Sequence, residues 1–244
     1  MDKKILELIK GNNYQIDDEV GFLVNQLADL LKSKENNDAK PILNWLDEKR
    51  RNYNAVTNEI GVKGLEGWHI EKTGNIVHDS GKFFSIIGVK VTGAYDREVP
   101  SWTQPMMKQN ECGILGILCK KINGTTHYLL QAKYEPGNMH KLQLSPTLQA
   151  TESNLKQVHK GKKPLFAEYF EERGKGKVIV NVVSVEDGGR FYLKTNRNMI
   201  VEIDENEKIE LPGNFLWVSL YQLKKLLKND NVVNSLTRSI LGSL

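Results

Sequence analysis

The chain has little cysteine, no long apolar run and no strong charge of one sign, and each shortage removes a class of protein. Only Cys112 and Cys119 are present. Both sit within or beside one apolar strand run, where seven residues of extended chain hold their side chains too far apart to bond. They read as reduced core thiols. Without a second Cys or His cluster at ligand spacing, neither a disulfide framework nor a zinc site is expected. No window approaches a membrane span, and Met1-Asp-Lys-Lys-Ile5 lacks the apolar run of a signal peptide, so a cytoplasmic protein with no membrane partner is expected. A net charge of +4 gives no nucleic-acid footprint, but it leaves room for a local basic pocket for an anion. Standard catalytic signatures are missing as well: there is no phosphate-cradling glycine loop, no Gly-x-Ser-x-Gly elbow, no paired-histidine metal motif and no dinucleotide fingerprint. No internal repeat or low-complexity segment is present.

What remains is an ordinary globular composition, 244 residues with 39% hydrophobic, enough to bury a full core. Residues 1–60 read as an N-terminal helical arm and residues 61–244 as one domain. In the arm, Asp17 and Asp18 are possible caps for a helix over Ile16 to Lys32, with Val20, Leu23, Val24, Leu27, Leu30 and Leu31 on one apolar stripe. After the break Lys34 to Pro41, a second helix carries Ile42, Leu43, Trp45 and Leu46. From Gly61 the texture turns to short apolar or alternating runs: Trp68 to Glu71, Phe83 to Val91, Cys112 to Lys121, Thr125 to Tyr134, Lys177 to Val185, Arg190 to Thr195 and Met199 to Glu202. In Phe83 to Val91, Ile87, Val89 and Val91 alternate with Gly88 and Lys90, which predicts one buried and one partly wet face. Asn123-Gly124 and Asp187-Gly-Gly189 read as hairpin turns. Helices are expected over Ser153 to His159, over Pro164 to Glu172, after Ser219 and through Val233, Leu236 and Ile240. The fold class is therefore α/β (α+β), a mixed and mostly antiparallel sheet flanked by helices.

Three blocks concentrate polar and aromatic side chains: His78-Asp-Ser-Gly-Lys-Phe-Phe84, Arg97-Glu-Val-Pro-Ser-Trp-Thr-Gln-Pro105, and Gln131 to Asn154. The first two bracket one strand and the third follows a hairpin, so a meeting at one sheet edge is expected. Gln143, Ser145, Thr147, Gln149 and Thr151 place five amide or hydroxyl groups in nine residues, a density hard to satisfy in a core without ligand or water. Composition alone leaves two readings, a pocket for a polyhydroxylated ligand or a solvated loop with a helix cap.

The ordered motifs His78-Asp-Ser-Gly-Lys-Phe-Phe84, Ser101-Trp-Thr-Gln-Pro105, Gly113-Ile-Leu-Gly-Ile-Leu118, Gln131-Ala-Lys-Tyr-Glu-Pro-Gly-Asn138 and Gln143-Leu-Ser-Pro-Thr-Leu-Gln-Ala-Thr-Glu-Ser-Asn154 resemble the nucleotide-diphosphate-hexose 2,3-dehydratases of deoxysugar biosynthesis. The resemblance is close from Trp68 to Phe170. It implies a Nudix-like α/β unit, of which members carry two tandem copies and this chain has the length of one. It further implies a lyase acting on a (d)TDP-linked 4-keto-6-deoxyhexose without metal or redox cofactor. The Gly-x5-Glu-x7-Arg-Glu-x2-Glu-Glu motif of Nudix hydrolases is missing, in keeping with a site that binds no magnesium for hydrolysis. Expected partners are the sugar nucleotide, a second copy in a homodimer and a downstream 3-ketoreductase.

Removing water across carbons 2 and 3 needs a base, an oxyanion donor and an acid. Glu135 is the favoured base, with Tyr134 and His140 as the other titratable groups and Lys133 as the cation for an enolate or pyrophosphate. The competing readings are a salt bridge from Glu135 to Lys133 or Arg97, and a solvated loop residue for His140. For binding, Phe84 and Trp102 are nominated to flank the base or sugar and Arg97 the phosphates. His78, Gln104, Gln143, Ser145, Thr147, Gln149, Thr151 and Asn154 are nominated for the rest of the substrate. For Trp102 a core position competes. Two other activities fit the same residues: a non-catalytic nucleotide-sugar-binding unit, and an isomerase or epimerase using the acidity at carbon 3.

Overall fold

The structure, a computed structural model, describes residues 18–32, 38–151, 155, 163–171 and 174–243. Asp17, Asn154 and most of the helix expected from Ser153 to His159 lie outside them. The fold is a mixed α+β one with two sheets. The described residues form two compact units, one within Met1–Ala55, Ile114–Val182 and Arg197–Leu244, the other within Val56–Gly113 and Val183–Asn196.

Among the described residues of the first unit, four full helices are seen, three of them with a local start signal. Helices α1 (Asp18–Lys32) and α2 (Lys40–Arg51) form where two helices were expected, with Pro41 in the first turn of α2, where its missing N–H is no loss. Helix α3 (Leu220–Leu226) opens on a capping box: the Ser219 hydroxyl accepts from Gln222 N, and Gln222 Oε1 accepts from Ser219 N. Helix α4 (Ser235–Leu241) is capped by Asn234, whose side-chain oxygen accepts from Leu236 N at 2.7 Å.

The sheet of this unit runs in the order β12 (Phe215–Ser219), β6 (Thr125–Tyr134), β5 (Gly113–Ile122), β11 (Thr195–Glu202) and β9 (Lys177–Val185). Two short strands, β7 (Leu142–Ser145) on β6 and β8 (Leu148–Thr151) on β5, complete it. Asn123 and Gly124 turn β5 into β6 with φ of 52° and 75°, the doubly positive pair that a two-residue hairpin requires. Both faces are covered. Leu115, Ile117, Cys119, Tyr128, Leu130 and Ala132 point to one core with Ile42, Leu46 and Leu223, while Leu118 and Leu129 point to another with Phe166, Tyr169 and Phe170. A strand buried on both sides reads as a continuous apolar run, which is why residues 113–119 carry no polar alternation. Cys119 is fully buried and Cys112 only half-buried, so one of the two thiols is a core residue.

The segment expected as a helix from Pro164 to Glu172 makes only a 3-10 turn over Ala167–Tyr169, because Phe166 takes a left-handed φ of 65°. That turn lays the Phe170 ring on Gly116, where an added Cβ would stand 2.3 Å from a ring carbon.

Helix α1 is set the other way round from its sequence pattern. Gln26 and Asp29 are buried, while Leu23, Leu27 and Leu31 are 44%, 45% and 62% exposed. Hydrogen bonds fix this roll. Asp29 Oδ2 accepts from Lys121 Nζ at 2.9 Å, Thr126 N at 2.9 Å and Thr126 Oγ1 at 2.8 Å, and Gln26 Oε1 accepts from the fully buried Tyr128 hydroxyl at 2.6 Å. Burial pushes the Asp29 carboxyl up, but Lys121 and the two Thr126 donors outweigh it and hold it below its ordinary value.

The second unit is a five-stranded sheet ordered β1 (Trp68–Ile70), β2 (Ile76–His78), β3 (Ser85–Val91), β4 (Trp102–Lys108) and β10 (Phe191–Tyr192). Neighbours are antiparallel except for β10, which lies parallel to β4. Ile87, Val89 and Val91 share a face with Met106, Gln104 and Trp102, and Gly88 and Lys90 are exposed, as the alternation predicts. Asp187-Gly-Gly189 does make a turn, but no hairpin: Met107 N donates to Arg190 O at 2.8 Å and draws the following strand onto β4.

Gly116→Ala should lower stability by about 1–3 kcal/mol, because the Phe170 ring has nowhere to go in a filled core; thermal or urea unfolding measures it. Asp29 has a depressed folded value, so its contribution is complete above the unfolded carboxylate value of about 3.9 and is lost as pH falls through the folded value. The stability gap between the natural chain and Asp29→Asn should therefore shrink in urea titrations run at falling pH below about 4.

Candidate functional site

The nominated residues divide between the units. The blocks at residues 78–84 and 97–105 belong to the five-stranded sheet, and the block from Gln131 belongs to the seven-stranded one. They do not line one sheet edge, because β2, β3 and β4 pair among themselves and the other sheet begins afresh at β5.

In the seven-stranded sheet, β5 and β6 separate after the rung Leu118–Leu129, and β7 and β8 take their places as partners. The fork is closed by one side chain. The buried Thr147 hydroxyl accepts from Leu118 N at 2.9 Å and donates to Leu129 O, standing between two groups that would otherwise lack partners. Gln131 Nε2 secures the turn above it, donating to Pro146 O at 2.9 Å and to Thr147 O at 3.4 Å. Thr147 is thus occupied within the protein.

Beyond the fork, the register pairs Gln131 with Ser145 and Lys133 with Gln143, and opposed residues share a face. One side of this ribbon therefore carries Gln131, Lys133, Gln143 and Ser145. Glu135 follows in the same row, its Oε1 2.9 Å from Lys133 Nζ, with the two side chains 33% and 29% exposed. Ser145 is fully buried, its hydroxyl donating to Gln143 O at 3.4 Å. Tyr134 faces the opposite way, packed on the helix-side core and stacked on Tyr53 with ring centroids 5.2 Å apart. His140 is exposed in the loop between β6 and β7. That loop is tied at both ends: Asn138 Nδ2 donates to Lys133 O at 3.4 Å and Lys141 O at 3.0 Å, and Lys141 Nζ to Tyr53 O at 2.8 Å. On β8, Gln149 Oε1 is buried without a hydrogen-bond partner among the described residues, and Thr151 is half-buried. An unpartnered buried carbonyl is a place for a ligand hydroxyl or water.

In the five-stranded sheet two groups form. His78 Nδ1 accepts from Ser80 N at 3.1 Å and meets the Ser80 hydroxyl at 2.8 Å; its ring lies 4.4 Å from Phe83 and edge-on to Trp68, which also touches Phe84 at 4.9 Å. In the second group Trp102 Nε1 donates to Gln104 Oε1 at 2.6 Å and Gln104 Nε2 to Gly189 O at 2.8 Å, with the Arg97 guanidinium 5.8 Å over the Trp102 ring. Arg97 also lies 3.7 Å from Glu98. The turn carrying Gly189 is held by Asp187, whose carboxyl sits below its ordinary value because Arg190 and the Gly189 N–H both donate to it. Tyr53, Trp68 and Gln131 were missed by the sequence reading; only Gln131 had a local signal, as the first residue of its polar block.

Residues 39–244 match the family described as NDP-hexose 2,3-dehydratase, and the chain belongs to that family. It is 45% identical over 201 residues to a dTDP-4-dehydro-6-deoxy-alpha-D-glucopyranose 2,3-dehydratase of Saccharopolyspora spinosa, a match covering 82% of this chain and 41% of that protein. To the enzyme of the same name from Amycolatopsis orientalis it is 42% identical over 205 residues, covering 82% and 43%. The chain thus spans about two fifths of the length of these curated relatives. Among solved structures it is similar to a Nudix hydrolase from M. smegmatis, RenU, with a TM-score of 0.37 and 14% identity over 62% of this chain and 91% of that one.

Thr147→Val removes the hydroxyl that fills the fork. It should cost about 1–3 kcal/mol of stability by leaving Leu118 N and Leu129 O unpaired, whereas Thr147→Ser should be nearly neutral. A loss in Thr147→Ser with none in Thr147→Val, measured by urea unfolding, would show that the methyl group and not the hydroxyl matters.

Proposed function

We propose that the chain is a lyase that removes water across carbons 2 and 3 of a (d)TDP-4-keto-6-deoxyhexose. The names of its relatives support the substrate and reaction class, and the observation that carries the chemistry is the Lys133–Glu135 pair at 2.9 Å on the face it shares with Gln143. The proton on carbon 3 is acidified by the 4-keto group. Glu135 takes it, and the electron pair moves onto the ketone oxygen as an enolate, which the Lys133 ammonium stabilises. The enolate then re-forms the ketone and expels the carbon 2 hydroxyl, which leaves as water with a proton from His140. Gln143 and the free carbonyl of Gln149 suit sugar hydroxyls.

No helix among the described residues is long and apolar enough to cross a membrane. The same reading makes the chain a cytoplasmic homodimer that passes its dicarbonyl product to a 3-ketoreductase.

Incubation with the 4-keto sugar nucleotide in deuterated water, followed by mass spectrometry, tests the reading. Loss of water is expected. Deuterium uptake without that loss points to an isomerase or epimerase, and neither change points to a binding unit. Glu135→Gln should lower both exchange and water loss by about a hundredfold or more, the usual range for removing a positioned acid or base. An unchanged rate would remove Glu135 from the mechanism.

A further inference from the structure

The loop between β6 and β7 has the groups proposed as base and acid at its two ends. Glu135 follows directly on β6, and His140 comes shortly before β7. The β6–β7 ladder stops at Tyr134 opposite Leu142, and beyond that rung one side chain continues the cross-link. Pro136, Gly137, Met139 and His140 are exposed, whereas Asn138 is half-buried. Its main-chain N–H donates to Glu135 O at 3.0 Å and closes a turn with Pro136 in the second place, which the fixed φ of proline suits. Its side-chain Nδ2 donates to Lys133 O at 3.4 Å and to Lys141 O at 3.0 Å, so one amide holds the end of one strand and the approach to the other. Lys141 has a left-handed φ of 63°, a conformation that a lysine keeps where contacts impose it, and the Asn138 bond to its carbonyl is one such contact.

We propose that Asn138 is a positioning residue for the elimination, which fixes His140 relative to Glu135 and thereby decides the fate of the enolate. This rests on the dehydratase reading given above. The enolate that Glu135 makes has two ways onward. It can take its proton back at carbon 3 and regenerate the substrate, or it can re-form the ketone and expel the carbon 2 hydroxyl with the proton from His140. The return needs Glu135 alone. The forward step needs an acid already in place when the carbon–oxygen bond breaks, and a displacement of about 1 Å can cost such a step about a hundredfold. Asn138 spends its amide on main-chain carbonyls and acts through the loop, not on the sugar. Without that amide the strand ladder still ends at Tyr134, so Glu135 keeps its place beside Lys133 while the stretch carrying His140 loses its tie.

Reaction of the full chain with the 4-keto sugar nucleotide in deuterated water tests this through a ratio: deuterium in the recovered substrate against water lost, both read by mass spectrometry. A variant that is merely less stable loses both in step and leaves the ratio alone. Asn138→Ala should lower water loss about tenfold or more and raise exchange per water lost at least about fivefold, with KM changed by less than about twofold. Asn138→Asp keeps the shape and removes both side-chain donors, so it should do the same, and it carries the test if Asn138→Ala does not fold by circular dichroism. His140→Gln should raise the ratio by itself, and adding Asn138→Ala to it should raise it no further. Met139→Ala, at an exposed position in the same loop, should leave the ratio unchanged. An unchanged ratio in the Asn138 variants, even where both rates fall, makes the residue a plain loop tie, overturns this role and leaves the dehydratase standing. Failure of both variants to fold, full additivity with His140→Gln, or an equal shift in Met139→Ala overturns it in the same way. A natural chain that loses no water overturns the dehydratase reading, and this role with it.

Discussion

The first unit depends on one hydroxyl. Where β5 and β6 part, two backbone groups in the middle of the sheet lose each other, and a protein interior leaves very few such groups unpaired. Thr147 stands in the gap and serves both. Because it does, β6 can leave β5, take β7 as its partner and bring Lys133 opposite Gln143. The ribbon that carries the proposed chemistry exists only because the sheet is allowed to split. Gln131 works to the same end from β6 itself, its amide closing on the turn between the two short strands. Two residues that look like sugar ligands in a polar block are therefore part of the frame, and the groups left with capacity to spare, Gln149 above all, are the better ligands.

The fold was legible where the chain obeys a single period. The hairpin at Asn123-Gly124, the alternation in β3 and the helix start after Ser219 all follow from a few adjacent residues, and the structure contains them. The short strands β2, β4, β7, β8 and β12 were not read, because β2 is only three residues long and the others are four to seven residues with Pro, Gln or Trp among them, too little for a periodic signal. The roll of α1 was also hidden. Its leucines have the spacing of a core stripe, and only the long-range bonds of Asp29 and Gln26 to the β5–β6 hairpin decide against it. For the candidate site, the neighbourhood of Lys133 and Glu135 came from sequence, but the opposite facing of Tyr134 needed the register and its stack on Tyr53.

Polar pins and apolar packing divide the labour in the first unit. Packing sets the layers, with leucines and isoleucines of both sheet faces buried in two separate cores. It does not say how a helix is turned about its own axis or where a strand must end. Those choices fall to Asp29, Gln26, Thr147 and Ser219, each of which loses a partner if its element shifts by one residue.

The end of α2 shows the same logic applied to the loop before β7. Arg50 donates to Leu142 O at 3.0 Å and to Asn231 O at 2.7 Å, and Lys141 reaches back to Tyr53 O. Every acceptor in that clasp is a main-chain carbonyl. Such a clasp takes side chains from the loop only at Asn138 and Lys141, so Met139 and His140 can be exchanged without loosening the ties. The main-chain path beneath that loop is thereby fixed apart from the two side chains that the loop shows to solvent.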